Sequence, residues 1–115
     1  TCVGLKMPFR FQGVESLRLK DVDRIMVLQS QMQKLGAKLK VEKRGEFETM
    51  TFDGKASFKP KASIEFNCFS DHRIIMSLVP FSAMGLKISV DDPKVVSRSY
   101  PCFWEDVKKL GFMVE

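Results

Sequence analysis

One histidine, one tryptophan and one tyrosine in 115 residues leave little room for several kinds of chemistry. With His72 alone, a Ser–His–Asp hydrolase would rest on a single imidazole, and no serine lies in a G-x-S-x-G setting. Cys2, Cys68 and Cys102 are odd in number, widely spaced and form no C-x-x-C, which argues against a zinc site or a disulfide scaffold and for reduced thiols. There is no Walker loop and no G-x-G-x-x-G fingerprint. The longest apolar stretches, Ile74 to Met76 and Leu78 to Phe81, fall far short of the ~20 residues that span a bilayer. Thr1 to Lys6 lacks both the charged start and the apolar run of a secretory signal, so the expected location is cytoplasmic, with no membrane partner. The ten phenylalanines alternate in apolar segments, a pattern of core packing rather than base stacking.

What is present is the composition of an ordinary globular chain, 44% hydrophobic and 29% charged, of a length that suits one domain or a piece of one. The net charge of +5 is uneven. Residues 1–44 carry 10 basic and 4 acidic side chains (10 − 4 = +6), and residues 45–115 carry 9 and 10 (9 − 10 = −1). Such an imbalance points to an anion-binding face. With no long Lys/Arg run, it does not by itself indicate nucleic acid.

The spacing predicts extended segments at Met7–Phe11 and Ser16–Lys20 around Gly13. A helix is predicted over Asp21–Leu35, with Ile25, Leu28, Met32 and Leu35 on one face and Gly36 as its stop. Strands are expected at Leu39–Glu42 and Phe47–Phe52 across an Arg44-Gly45 turn, at Ile64–Phe66 and at Leu86–Val90. A second helix spans Asp71–Met84, kinked at Pro80 and stopped by Gly85. A third takes Pro101 as its first residue and presents Phe103, Trp104, Val107 and Leu110.

Arg24 and Arg73 fall in the first turns of the first two predicted helices, and Arg98 lies three residues before Pro101. An arginine at a positive helix end is misplaced by about 0.3–1 kcal/mol unless negative charge offsets it. That charge is either internal, from the capping residues Asp21, Asp23 and Asp71, or external, from a phosphate or carboxylate held by guanidinium forks and free backbone donors. Three such placements in one small chain, with Lys20 and His72 beside them, favour the external anion.

A run of motifs reaches the same residues. Leu17-Arg18-Leu19-Lys20-Asp21-Val22-Asp23-Arg24, Leu35-Gly36-Ala37, Asp71-His72-Arg73 with Met76, Asp92-Pro93 and Ser99-Tyr100-Pro101-x-Phe103-Trp104 occur in a characteristic order and spacing. Together they resemble the C-terminal end of the 5-enolpyruvylshikimate-3-phosphate synthase family, from about Pro8 to Phe112. The resemblance implies an α+β fold, part of an enolpyruvyl transferase domain built from βαβαββ repeats, with about the last repeat and the terminal helix present. Residues 1–115 would then be the C-terminal portion of the C-terminal domain, with the N-terminal domain and a further catalytic carboxylate expected outside them.

The implied reaction transfers the enolpyruvyl group of phosphoenolpyruvate to shikimate 3-phosphate, with release of phosphate. It requires no metal or organic cofactor and no nucleic acid, and the expected state of the parent is monomeric. Arg24 and Arg73, with Arg98 in place of the family's lysine, would hold phosphoenolpyruvate. Lys20 and Ser16 would contact shikimate 3-phosphate. Asp21, where the family usually has glutamate, would move a proton at the vinyl carbon, with His72 as the second catalytic residue. Both replacements alter geometry and proton affinity, so they bear on rate more than on binding. The alternative is a small basic binding module for a phosphorylated ligand or nucleic acid, which requires the cations of residues 1–44 to form one continuous stripe.

Overall fold

A computed structural model describes residues 1–20, 22–59 and 61–114 and contains two small sheets joined by helices. Strands β1 (Phe9–Gln12), β2 (Leu39–Arg44) and β3 (Phe47–Phe52) form an antiparallel sheet in the order β1-β3-β2. Arg44 pairs with Phe47, so β2 and β3 are joined by a two-residue turn in which Gly45 takes a φ of 61°, a value that favours glycine. Side chains alternate across β3: Glu48, Met50 and Phe52 are buried while Phe47 is exposed. Registers Phe9 to Phe52 and Leu39 to Phe52 bring Phe9 and Leu39 to that same inner face.

Helix α1 (Arg24–Gln33) covers this face with Ile25, Val27 and Met32. Leu35 is buried just beyond its end, and Leu28 packs partly against the core. The chain then reverses at Gly36, φ 68°. Ser57 donates its amide to the Leu35 carbonyl at 2.9 Å there, and a Cβ on Gly36 would lie 1.8 Å from the Ser57 hydroxyl.

The second half is a β–α–β unit. Strands β4 (Ser63–Phe66) and β5 (Lys87–Val90) pair in parallel, Ser63 with Lys87, and α2 (His72–Leu78) lies in the crossover between them. Its Ile74, Ile75 and Leu78 are buried with Ile25, Leu35, Phe66 and Val96 in one continuous core. The closing helix α3 is Phe103–Lys109, with Glu105 and Asp106 in its first turn and Lys108 and Lys109 in its last, the arrangement that complements the helix dipole.

The mixed α+β class expected from the sequence is the one observed. Three local expectations are corrected. Glu15–Leu19, expected as part of a strand, is a 3-10 helix; all five residues remain at least partly exposed, so no apolar alternation is enforced by burial. The second helix does not kink at Pro80. It ends at Leu78 and continues as a 3-10 helix over Val79–Met84, because Pro80 lacks the N–H that an α-helical bond would use. Pro101 precedes α3 rather than opening it, lying in a turn in which Phe103 donates to the Tyr100 carbonyl at 3.1 Å.

Candidate anion-binding site

Two aspartates set the two helix starts. Asp23 caps α1 by accepting from the Met26 amide at 3.2 Å, and Asp71 caps α2 by accepting from the Arg73 amide at 2.9 Å. Each carboxylate also takes an arginine. The Arg24 Nε donates to Asp71 Oδ2 at 2.6 Å and its Nη2 donates to Oδ1 at 3.2 Å, a two-point fork. Asp71 is fully buried and the Arg24 side chain is 12% exposed. Burial alone would raise the Asp71 carboxyl, but hydrogen bonds from Arg24 and the Arg73 amide, with the nearby Arg24 and His72 charges, hold it below the usual carboxylate range.

A parallel arrangement holds the segment before α1. The Arg18 Nε donates to both Glu48 oxygens at 2.8 and 2.7 Å, and its Nη1 donates to Asp23 Oδ2 at 2.7 Å. These two carboxylates push the guanidinium pKa of Arg18 still higher. Burial opposes ionisation of Asp23, and the Met26 amide and Arg18 outweigh it, so this carboxyl is also lowered.

The turn leading into α2 is unusual. Phe69 and Ser70 have φ of 52° and 60°, left-handed values that side chains rarely adopt. Asp91 Oδ1 accepts from the Cys68 amide at 2.9 Å on one side of this turn, and the Arg98 Nη1 donates to the Ser70 carbonyl at 3.1 Å on the other. Arg24 and Arg98, 74 positions apart in sequence (98 − 24), therefore both reach the segment Ser70–Asp71 that leads into Arg73.

Among the described residues Arg73 forms no side-chain hydrogen bond or ion pair and its side chain is exposed, so its whole fork is available to a ligand. His72 Nδ1 is buried and has no partner among the described residues. Ser16 and Lys20 are exposed on and beside the 3-10 helix Glu15–Leu19. Ser16 borders an open hollow of about 470 Å³ with Glu15, Arg18, Lys43, Glu46 and Glu48. That hollow contains none of Arg24, Arg73 or Arg98, and its three glutamates make it a poor anion site by itself. Asp21 lies outside the described residues.

The negative partner of Arg24 is thus internal, and it comes from α2 rather than from a cap on its own helix. Arg98, by contrast, is not at a helix start: it ends the 3-10 helix Pro93–Arg98, where a cation is favourably placed. Its claim on an anion rests on proximity to the α2 turn instead. The sequence offers Asp71 as a cap and as a charge partner for a nearby arginine, not for Arg24, and attaches no role to Arg18 or Glu48. Pairs separated by 47 and 30 positions leave no local periodic signal. Among the described residues no cluster of three or more His, Cys, Asp or Glu side chains is suited to hold a metal ion. No helix in them is long and apolar enough to cross a membrane.

Residues 3–107 match the family model described as EPSP synthase (3-phosphoshikimate 1-carboxyvinyltransferase). The chain is 36% identical over 115 residues to a 3-phosphoshikimate 1-carboxyvinyltransferase of Bacteroides fragilis, covering 100% of this chain and 27% of that protein. It is 34% identical over 106 residues to the enzyme of the same name from Methanosarcina acetivorans, covering 92% and 23% respectively. The structure of EPSP synthase from Acinetobacter baumannii superposes with a TM-score of 0.62 at 26% identity, over 92% of this chain and 24% of that one. The chain therefore spans about a quarter of the length of the curated relatives it matches.

Proposed function

The chain belongs to the EPSP synthase family, and from that premise we propose that it supplies the cationic part of a site that transfers the enolpyruvyl group of phosphoenolpyruvate to shikimate 3-phosphate. Residues 1–115 act as the C-terminal portion of the C-terminal enolpyruvyl transferase domain, and a second domain brings the remaining contacts. The cytoplasm, with its reduced thiols and soluble substrates, is the matching compartment.

The observation that carries this reading is the Arg24–Asp71 fork, which ties the segment of Lys20 and Arg24 to the segment of His72 and Arg73. In the reaction a substrate hydroxyl gives its proton to a carboxylate base and adds to C2 of phosphoenolpyruvate while C3 takes a proton from an acid. The tetrahedral intermediate then loses a proton from C3 and expels inorganic phosphate from C2, restoring the double bond. The carboxylate and phosphate stay anionic throughout. Arg73, Arg24 and Arg98 hold them in fixed positions, and Lys20 and Ser16 hold the 3-phosphate of the acceptor. Asp21 moves the proton at C3, and His72 lies beside the reacting phosphate as the second catalytic group.

A nucleic-acid module is less favoured for a structural reason. Arg18 and Arg24 are engaged by buried or half-buried carboxylates, and the Lys34 ammonium donates to the Glu65 carbonyl at 2.6 Å, so the cations of residues 1–44 are not one free stripe.

Titration of the chain with phosphoenolpyruvate, followed by backbone amide shifts, tests the reading. Shifts at residues 20, 24 and 71–74 are expected; a response absent from those residues contradicts it. Assayed for phosphate release with both substrates, the 115-residue chain alone is expected to show no turnover, because bringing two substrates together depends on the second domain.

A further inference from the structure

The 3-10 helix Glu15–Leu19 carries Ser16 and directly precedes Lys20, yet burial does little to hold it. None of its five residues is buried, Leu19 is 86% exposed, and no side chain caps its first turn. A 3-10 run of this length is uncommon without outside support. Val14 and Leu17 pack partly against the core, and the remaining ties are polar. They converge on one residue of β3. The Glu48 carbonyl accepts from the Gly13 and Val14 amides at 3.0 and 3.3 Å, and its amide donates to Glu15 Oε2 at 3.2 Å. Its buried carboxylate accepts twice from Arg18.

The other end of the same guanidinium holds Asp23, the cap of the helix that begins at Arg24. Arg18 thus ties the 3-10 helix that directly precedes Lys20 to the cap of α1. Its fork leaves few donors for a ligand, so its part is to hold other groups in place. We propose that Arg18, clamped between Glu48 and Asp23, is a positioning residue that fixes Lys20 relative to Arg24, so that the cation on the acceptor phosphate and the cation on phosphoenolpyruvate are held at a set spacing. This rests on the anion-binding reading given above.

Inorganic phosphate is titrated into the unsubstituted 115-residue chain, Arg18→Lys, Lys20→Ala and the double variant, with amide shifts giving each affinity. Coupled neighbours deviate from additivity, so Lys20→Ala is expected to weaken binding roughly fivefold in the unsubstituted chain and less than about twofold with Arg18→Lys. Lysine keeps the net charge, so a general change in potential does not produce that loss of coupling. A merely structural arginine would weaken every form alike and leave the Lys20 penalty unchanged, and that result overturns the proposal. Glu48→Gln, which loosens the clamp while adding positive charge, is expected to reduce the Lys20 penalty in the same direction, and it serves where Arg18→Lys does not fold.

Hydrogen exchange without ligand separates the two possible failures. The Leu17 amide is bonded to Val14 and the Met26 amide to Asp23. Faster exchange at both in Arg18→Lys, with no phosphate response in the unsubstituted chain, refutes the anion-binding reading and leaves the clamp standing. Unchanged exchange at both overturns the clamp, whatever phosphate does.

Discussion

Arg24 and Asp71 lie 47 positions apart and meet through two hydrogen bonds in which each serves a second purpose. Arg24 opens α1, and Asp71 caps α2. One ion pair therefore sets the mutual position of two helix starts, and with them the segments that bear Lys20 and Arg73. It also removes the conflict between an arginine and the positive end of its own helix, since the fully buried carboxylate supplies the missing negative charge.

Removing that carboxylate leaves a guanidinium that is only 12% exposed without a partner. Asp71→Ala is expected to lower unfolding stability by about 3–5 kcal/mol, the range for breaking a buried pair. Asp71→Asn keeps an acceptor for the Arg73 amide and should be milder than Asp71→Ala. Urea denaturation of both variants measures the order, and equal losses would show that the charge, not the cap, dominates.

The acid side of the stability profile follows from the same carboxylates. Asp71 and Asp23 titrate lower in the folded chain than their ordinary value, so the unfolded state binds more protons as pH falls through the carboxylate range. Their contribution is fully present above an unfolded pKa of about 3.9 and is lost as pH drops through the lowered folded values. Stability measured by denaturant between neutral pH and about pH 2 should therefore fall steeply below about pH 4. Asp71→Asn should flatten that fall; an unchanged slope would mean that Asp71 carries no part of it.

Much of this was legible in the sequence, for reasons that individual residues make clear. Ile25, Met32 and Leu35 announce one helical face because burial imposes the periodicity, and Gly45 marks its turn because the backbone conformation restricts the side chain. Glu15–Leu19 was misread because its shape comes from polar ties to Glu48, which no local pattern records. Arg24 and Arg73 stand out by their places at helix starts and by motif spacing, and the structure puts both at those starts. Asp71 as the partner of Arg24, and Arg18 as the bridge from β3 to α1, emerge only when distant segments are brought together.

Gly36 offers a test of the turn that feeds β2. A side chain there is disfavoured by φ 68°, and its Cβ would approach the Ser57 Oγ at 1.8 Å, Cβ at 2.8 Å and backbone nitrogen at 3.0 Å. The last two atoms cannot swing away as a flexible chain end would. Gly36→Ala is expected to cost about 1–3 kcal/mol from strain and overpacking together. Ser57→Gly in the same chain should recover part of that loss but not all, because the positive φ remains. Full recovery in thermal unfolding would assign the whole effect to the clash.

Arg73 and Arg24 should separate binding from stability. The Arg73 side chain is exposed and unpaired among the described residues, so Arg73→Ala should change stability by no more than about 0.5 kcal/mol, as surface substitutions do. Its available fork makes it the principal expected ligand contact, so phosphoenolpyruvate-induced amide shifts should weaken sharply in the same variant. Arg24→Ala should weaken both, because it strips the buried Asp71 carboxylate of its partner as well as removing a proposed ligand contact. Raising salt distinguishes the causes further: attraction to an exposed guanidinium is screened, whereas the buried pair is screened much less. Phosphoenolpyruvate binding should therefore decline between low and physiological ionic strength while the denaturation midpoint changes little. Arg73→Ala with full ligand affinity and lowered stability would reverse these assignments and make Arg73 a structural residue.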